Sequence, residues 1–163
     1  MHIAASRPHG SQSVLTYVTE PRRTVRDGGD EAMRILYIDD EPSLRSLVSE
    51  FLRMVGHECE TEPSGEAGLD RALNGEFDVI ICDMHLPGIS GADLCRRLLA
   101  EKPSIEGRLL LATGDLLSRE TQEFFSQTGL PHIHKPFKLH ELNSVIKGLA
   151  RTHRAESTSP STQ

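Results

Sequence analysis

Phe77-Asp-Val-Ile-Ile-Cys-Asp-Met-His-Leu-Pro-Gly-Ile-Ser-Gly91 is the stretch that decides the fold. Val79, Ile80, Ile81 and Cys82 are consecutive apolar residues with no polar alternation. That pattern belongs to a strand covered on both faces, as in a parallel sheet. The run ends in Asp83, Leu86-Pro87-Gly88 turns the chain, and Gly91 opens a helical pattern. A carboxylate at the carboxyl end of a buried parallel strand stands where open α/β sheets hold their ligands. Asp83 is therefore the first candidate for chemistry, and other strand ends must supply its partners.

Working outward, Ile35-Leu36-Tyr37-Ile38 is a second apolar run and ends in Asp39-Asp40. Leu109-Leu110-Leu111-Ala112 is a third, ending in Thr113-Gly114, and a weaker fourth runs from Leu130 to His134 and ends in Lys135-Pro136. Acids, a hydroxyl and an ammonium thus all fall just past strand ends. Two adjacent acids and a third from another strand form a set of hard oxygen ligands, the preference of Mg²⁺. A lysine and a threonine hydroxyl nearby suit a phosphoryl group.

Helical patterns alternate with these runs. After Pro42, a residue suited to a first helical turn, Leu44, Leu47, Val48, Phe51, Leu52 and Val55 form one apolar stripe, and Gly56 stops it. His57 to Glu62 reads as a polar edge strand, followed by a helix from Ser64 to Asn74. Further helices are expected over Gly91 to Glu101, Leu116 to Gln127 with Ser118 as a cap, and Lys138 to Arg151. The order βαβαβαβαβα gives a parallel sheet with right-handed crossovers and helices on both faces.

Composition narrows the function. The chain has 163 residues and a formal net charge of -6, one domain's worth of sequence and a poor match to a polyanion. It carries 3 cysteines without metal-like spacing, which read as reduced thiols of a cytoplasmic protein. No segment reaches the ~18 apolar residues of a membrane span, so no membrane partner is expected. Residues 1–32 and 152–163 are polar and read as disordered tails around a domain at 33–151.

In their order and spacing, Asp39-Asp40, Asp83, Thr113 and Lys135-Pro136 resemble the receiver domain of two-component response regulators. The stretch from Ala112-Thr113-Gly114-Asp115 through Ser118, Thr121 and Phe124-Phe125 to Lys135-Pro136-Phe137 is especially similar to receivers fused to hybrid histidine kinases. The resemblance implies a flavodoxin-like five-stranded sheet of order 2-1-3-4-5, with the acids at the topological switch point. It also implies that Asp83 is the phosphoacceptor. Asp40, Asp83 and the backbone carbonyl of His85 would bind Mg²⁺, with Asp39 acting mainly through water. Thr113 and Lys135 would contact the phosphoryl oxygens, and the Lys-Pro bond would be cis. His85 and Asp115 would tune hydrolysis. His132 occupies the place of an aromatic switch residue that responds to Thr113.

The expected function is a stand-alone receiver that takes a phosphoryl group from a sensor histidine kinase or a histidine phosphotransfer protein. It would signal to a protein partner or pass the group along a phosphorelay, without direct DNA binding. As an enzyme it would act only on its own phosphoryl group. Two rivals stand beside this. One is a receiver-like interaction module that is never phosphorylated. The other is an aspartyl-phosphate phosphatase, whose second acid would stand where this chain has His85.

Overall fold

The computed structural model describes residues 31–158. Five strands alternate with five helices: β1 (Arg34–Ile38), α1 (Pro42–Met54), β2 (Glu58–Glu62), α2 (Gly65–Asn74), β3 (Val79–Asp83), α3 (Gly91–Glu101), β4 (Leu109–Thr113), α4 (Arg119–Thr128), β5 (His132–His134) and α5 (Leu139–Thr158). A 3-10 turn over Pro103–Ile105 joins α3 to β4. The strands pair in parallel in the order β2-β1-β3-β4-β5, as the resemblance implies.

β3 and β4 are buried along their whole length, which explains their unbroken apolar runs. One face of the sheet packs Leu36, Ile38, Ile80 and Leu111 against α2, α3 and α4, with Ala72, Leu94, Leu98 and Phe124 from the helices. The other face packs Ile35, Tyr37, Ile81 and Leu110 against α1 and α5, with Val48, Leu52, Leu142 and Ile146. The five helices therefore cover both sides, and the strand ends are left to carry polar side chains.

Local chemistry sets the helix ends. Ser64, Ser90 and Ser118 each accept the amide hydrogen of the residue three positions on, Ala67, Asp93 and Thr121. α1 begins on Pro42, and Gly129 closes α4 in the left-handed conformation at φ 65°.

Three boundaries differ from the sequence expectations by more than one residue. α4 starts at Arg119 rather than Leu116, because Asp115 Oδ1 takes the amides of Leu117 and Ser118 and holds them in a turn. β5 starts at His132 rather than Leu130, since Pro131 has no N–H to give and pairs only through its carbonyl. α5 runs on to Thr158, so residues 152–158 are helical and not a disordered tail. Its added turns are tied down: Arg108 Nε donates to His153 Nε2 at 2.8 Å, and Arg154 pairs with Glu31 at 2.7 Å. Glu31 thus belongs with the folded domain rather than with the expected tail, of which residues 1–30 lie outside the described residues. The polar tail expected at 159–163 lies outside them too.

Candidate functional site

Parallel pairing brings the chemistry together. β1 and β3 are neighbours, with Ile38 opposite Cys82, so Asp39 and Asp83 emerge side by side. β4 and then β5 follow, which adds Thr113 and Lys135 to the same edge. Oxygen atoms of Asp39, Asp40 and Asp83 lie within 4.8 Å of one another. Asp39 and Asp83 are buried and Asp40 is exposed.

Lys135 closes the cluster. Its Nζ donates to Asp39 Oδ2 at 2.8 Å and to Asp83 Oδ2 at 2.9 Å. Partial burial works against the ammonium, but the hydrogen bonds and charges of the two carboxylates outweigh it and hold Lys135 above its ordinary value. The Lys135-Pro136 bond is cis, and the Lys135 amide donates to the Thr113 carbonyl at 2.8 Å.

Each acid has a distinct setting. Asp83 Oδ1 accepts the His85 amide at 3.0 Å, which fixes the carboxylate against the loop that follows β3. Asp39 Oδ1 accepts the Glu41 amide at 2.9 Å, and its Oδ2 accepts the Tyr37 phenol at 2.9 Å as well as Lys135. Burial first, and then the charge of Asp39, push the Tyr37 phenol far above its ordinary value. That phenol is therefore a donor. Arg45 Nη1 donates to the Asp39 carbonyl oxygen at 2.6 Å and braces the end of β1.

The donor set fits a hard divalent cation. Three carboxylates converge through oxygen alone, with no nitrogen or sulfur ligand among them, which suits Mg²⁺. Three negative charges face one ammonium, so the cluster has room for further positive charge.

The remaining candidates fall around this centre. Thr113 is fully buried at the end of β4, and its Oγ1 accepts the Asp115 amide at 3.1 Å. The His85 and Asp115 side chains are exposed. His132 is exposed on β5, outside the acid cluster, with its ring stacked on Phe125 at 4.2 Å between centroids. Beside Lys135 a cleft of about 400 Å³ is lined by Glu41, Leu44, Pro136 and Phe137. A smaller one, about 130 Å³, lies at the opposite end of the strands near Met33 and His57, away from the acids.

Tyr37, Arg45 and Glu66 are the participants that reading the sequence missed. Glu66 Oε1 accepts the Ile89 amide at 3.0 Å and so straps the loop after Asp83 to α2. Tyr37 alone left a signal. A phenol within an aliphatic strand, two residues before an acid, shares that acid's face and needs a partner.

Known proteins share this fold. The model of the response regulator receiver domain family matches residues 35–147. The transcriptional regulatory protein RprY of Bacteroides fragilis is 30% identical over 132 residues, which cover 81% of this chain and 55% of RprY. The chain spans about half the length of the curated relatives it matches. Among solved structures, a CheY-like receiver domain protein from Methanospirillum hungatei superposes with a TM-score of 0.70 at 26% identity, covering 77% of this chain and 98% of that one. The response regulator TrrA of Thermotoga maritima, solved in complex with Mg²⁺-BeF, gives a TM-score of 0.61 at 31% identity, covering 71% and 97%. Among the described residues no helix is long and apolar enough to cross a membrane.

Proposed function

The chain belongs to the response regulator receiver domain family, and on that footing we propose that Asp83 accepts a phosphoryl group from a phosphohistidine. The donor is a sensor histidine kinase or a histidine phosphotransfer protein, and the site works with Mg²⁺. The observation that carries the reading is the Lys135 ammonium seated between Asp39 and Asp83, beside a third carboxylate.

In the transfer, a carboxylate oxygen of Asp83 forms the new P–O bond. The P–N bond of the donor breaks and its electron pair leaves with the imidazole. Attack by one anion on another requires the charge of both to be offset. Lys135 supplies one positive charge at hydrogen-bond distance from Asp83. Asp39, Asp40 and Asp83 would hold Mg²⁺, which would supply further positive charge at the site. The His85 amide holds Asp83 Oδ1 and thereby orients the carboxylate. Thr113, at the end of the neighbouring strand, would meet a phosphoryl oxygen once its hydroxyl is drawn from the Asp115 amide.

The donor docks beside the site. Leu44, Pro136 and Phe137 line the cleft next to Lys135, and Leu47, one turn along α1, is exposed. An apolar rim around a charged centre suits a helical partner that delivers its phosphohistidine to Asp83. Output is a population shift between two conformations, read by a protein partner in the cytoplasm or passed on along a phosphorelay. RprY is a transcriptional regulatory protein, but the reading for this chain does not extend to direct DNA contact, which its net charge of -6 disfavours. The chain turns over only its own phosphoryl group.

Acetyl phosphate with Mg²⁺ should add one phosphoryl mass, labile to hydroxylamine, that Asp83→Asn does not acquire. Label in Asp83→Asn at the wild-type rate would overturn the assignment. Steady hydrolysis of a generic phosphate ester would favour a phosphatase instead.

A further inference from the structure

Tyr37 does not match the run that carries it. Its neighbours Ile35, Leu36 and Ile38 are aliphatic, and all four are fully buried. The ring lies in the layer between the sheet and α1 with α5, together with Val48, Leu52 and Ile146. A phenol shut away from water needs a partner for its O–H. Residues two apart on a strand share a face, so the hydroxyl reaches along β1 to Asp39. It donates to Oδ2 at 2.9 Å, the same oxygen that receives Lys135. The Glu41 amide occupies Oδ1. Asp39 is thus gripped from within β1, from the start of α1 and from the residue after β5, whereas Asp40 beside it is exposed.

We propose that Tyr37 is a positioning residue of the acid site: its phenol fixes Asp39 against Lys135, restrains it as a cation ligand, and so sets the affinity for divalent metal. This rests on the acid cluster being a metal site. A hydrogen bond to a carboxylate spreads its charge and occupies a lone pair. A cation, or its bound water, must compete with that donor for Asp39. Without the hydroxyl, Oδ2 regains a lone pair and its full charge. The metal-free state then loses a charge-assisted hydrogen bond and faces more repulsion among the acids. The bound state gains a stronger ligand. Removing one oxygen atom therefore moves two quantities in opposite directions. A ring that served only to fill the core would move neither, since Tyr37→Phe keeps the ring.

The chain carries its own reporter. It has 2 tyrosines and no tryptophan, so Tyr17→Phe leaves Tyr37 as the sole phenol. Its absorption depends on the hydrogen bond to Asp39, and a cation drawing on that carboxylate should shift the spectrum.

The test compares full-length wild type, Tyr37→Phe and Tyr17→Phe, with Mg²⁺ alone as the probe, by calorimetric titration, thermal melts and ultraviolet difference spectra. In Tyr37→Phe the Mg²⁺ affinity should rise about threefold to tenfold, the size of one weakened charge-assisted hydrogen bond. Its metal-free melting temperature should fall and recover with Mg²⁺. In Tyr17→Phe the tyrosine band should shift and saturate along the calorimetric isotherm. An affinity that weakens, or stays within about twofold, overturns the proposal. So does a silent tyrosine band at saturating Mg²⁺, and so does an absence of Mg²⁺ binding to wild type. Failure of acetyl phosphate to label wild-type Asp83 would instead sink the phosphoacceptor reading. The affinity comparison would still decide the role of Tyr37, because cation binding needs no phosphoryl donor.

Discussion

Gly91 backs directly onto the main chain of Asp83: a Cβ at position 91 would overlap the Asp83 carbonyl oxygen. The same residue donates its amide to the Met84 carbonyl at 3.0 Å. The first turn of α3 is thereby pressed against the end of β3, and the backbone of Asp83 is set by a residue without a side chain. Gly91→Ala must push α3 or the end of β3 aside. Overpacking of this kind costs about 1–3 kcal/mol. We expect a lower denaturation midpoint and slower labelling of Asp83 by acetyl phosphate. A variant that matches wild type in both would show that the contact relaxes freely.

Lys135 is the cation that holds Asp39 and Asp83 together. Lys135→Met keeps much of the length and apolar stem but removes the charge, leaving two buried carboxylates side by side. Breaking a buried pair from one side costs on the order of 3 kcal/mol, less here because Lys135 is partly exposed. The metal-free melting temperature should fall, and millimolar Mg²⁺ should restore more of it than it adds to wild type. Asp83 labelling should slow sharply even with Mg²⁺ saturating. Equal Mg²⁺ stabilisation of the two chains would show that Lys135 does not offset the acids.

Much of this was legible because burial and chemistry coincide along β1, β3 and β4. Each is covered on both faces, so its run is uniformly apolar, and each stops at a residue of the candidate site. β5 was harder to read, because only Ile133 of its three residues is buried. The length of α5 was not legible. Beyond Ala150 its sequence is polar, and it is held by Arg108 and Glu31, which are distant in sequence. The acids could be read as a cluster, but not their unequal settings. Strand alternation puts the Tyr37 phenol on the face of Asp39, but the burial of Asp39 beside an exposed Asp40 depends on side-chain packing that the alternation does not fix.

The thiols predict an alkaline weakness. Cys59, Cys82 and Cys95 are free and buried. Burial pushes Cys59 up to about 11, Cys95 up to about 12 and Cys82 well above 9.0. In the unfolded chain these thiols ionise near the ordinary 9.0. A folded value above the unfolded one gives stability that is whole below the unfolded value and is lost as pH rises toward the folded one. Between the unfolded and the folded value each thiol removes up to about 1.4 kcal/mol of stability per pH unit. Urea midpoints measured from roughly pH 8 to pH 10 should therefore fall, and native thiols should react slowly with a disulfide reagent at the lower pH. A level midpoint across that window would contradict the buried-thiol account.

His85 and Asp115 should both change the lifetime of the acyl phosphate, but for different reasons. His85 has an exposed side chain two residues past Asp83, where it would screen the acyl phosphate from an attacking water. Its amide already serves Asp83 Oδ1, and a substitution other than proline leaves that bond in place. The effect of His85→Ala should thus come from the imidazole alone, through water access. Asp115 is exposed too, yet its side chain is engaged: Oδ1 accepts the amides of Leu117 and Ser118, and its own amide holds Thr113 Oγ1. Asp115→Asn keeps an oxygen for those two amides and loses only the charge. Asp115→Ala loses the turn, frees the segment before α4 and slackens the hold on Thr113. If charge at the mouth governs hydrolysis, Asn and Ala should alter the decay of phosphorylated Asp83 alike. If the turn governs it, Asn should decay like wild type and Ala should differ severalfold. The turn is the stronger constraint, since two hydrogen bonds depend on it while an exposed carboxylate is screened by water and salt. Decay should therefore separate Asn from Ala, with Asp83 labelling intact in both. Indistinguishable decay in the two variants would return the role to charge.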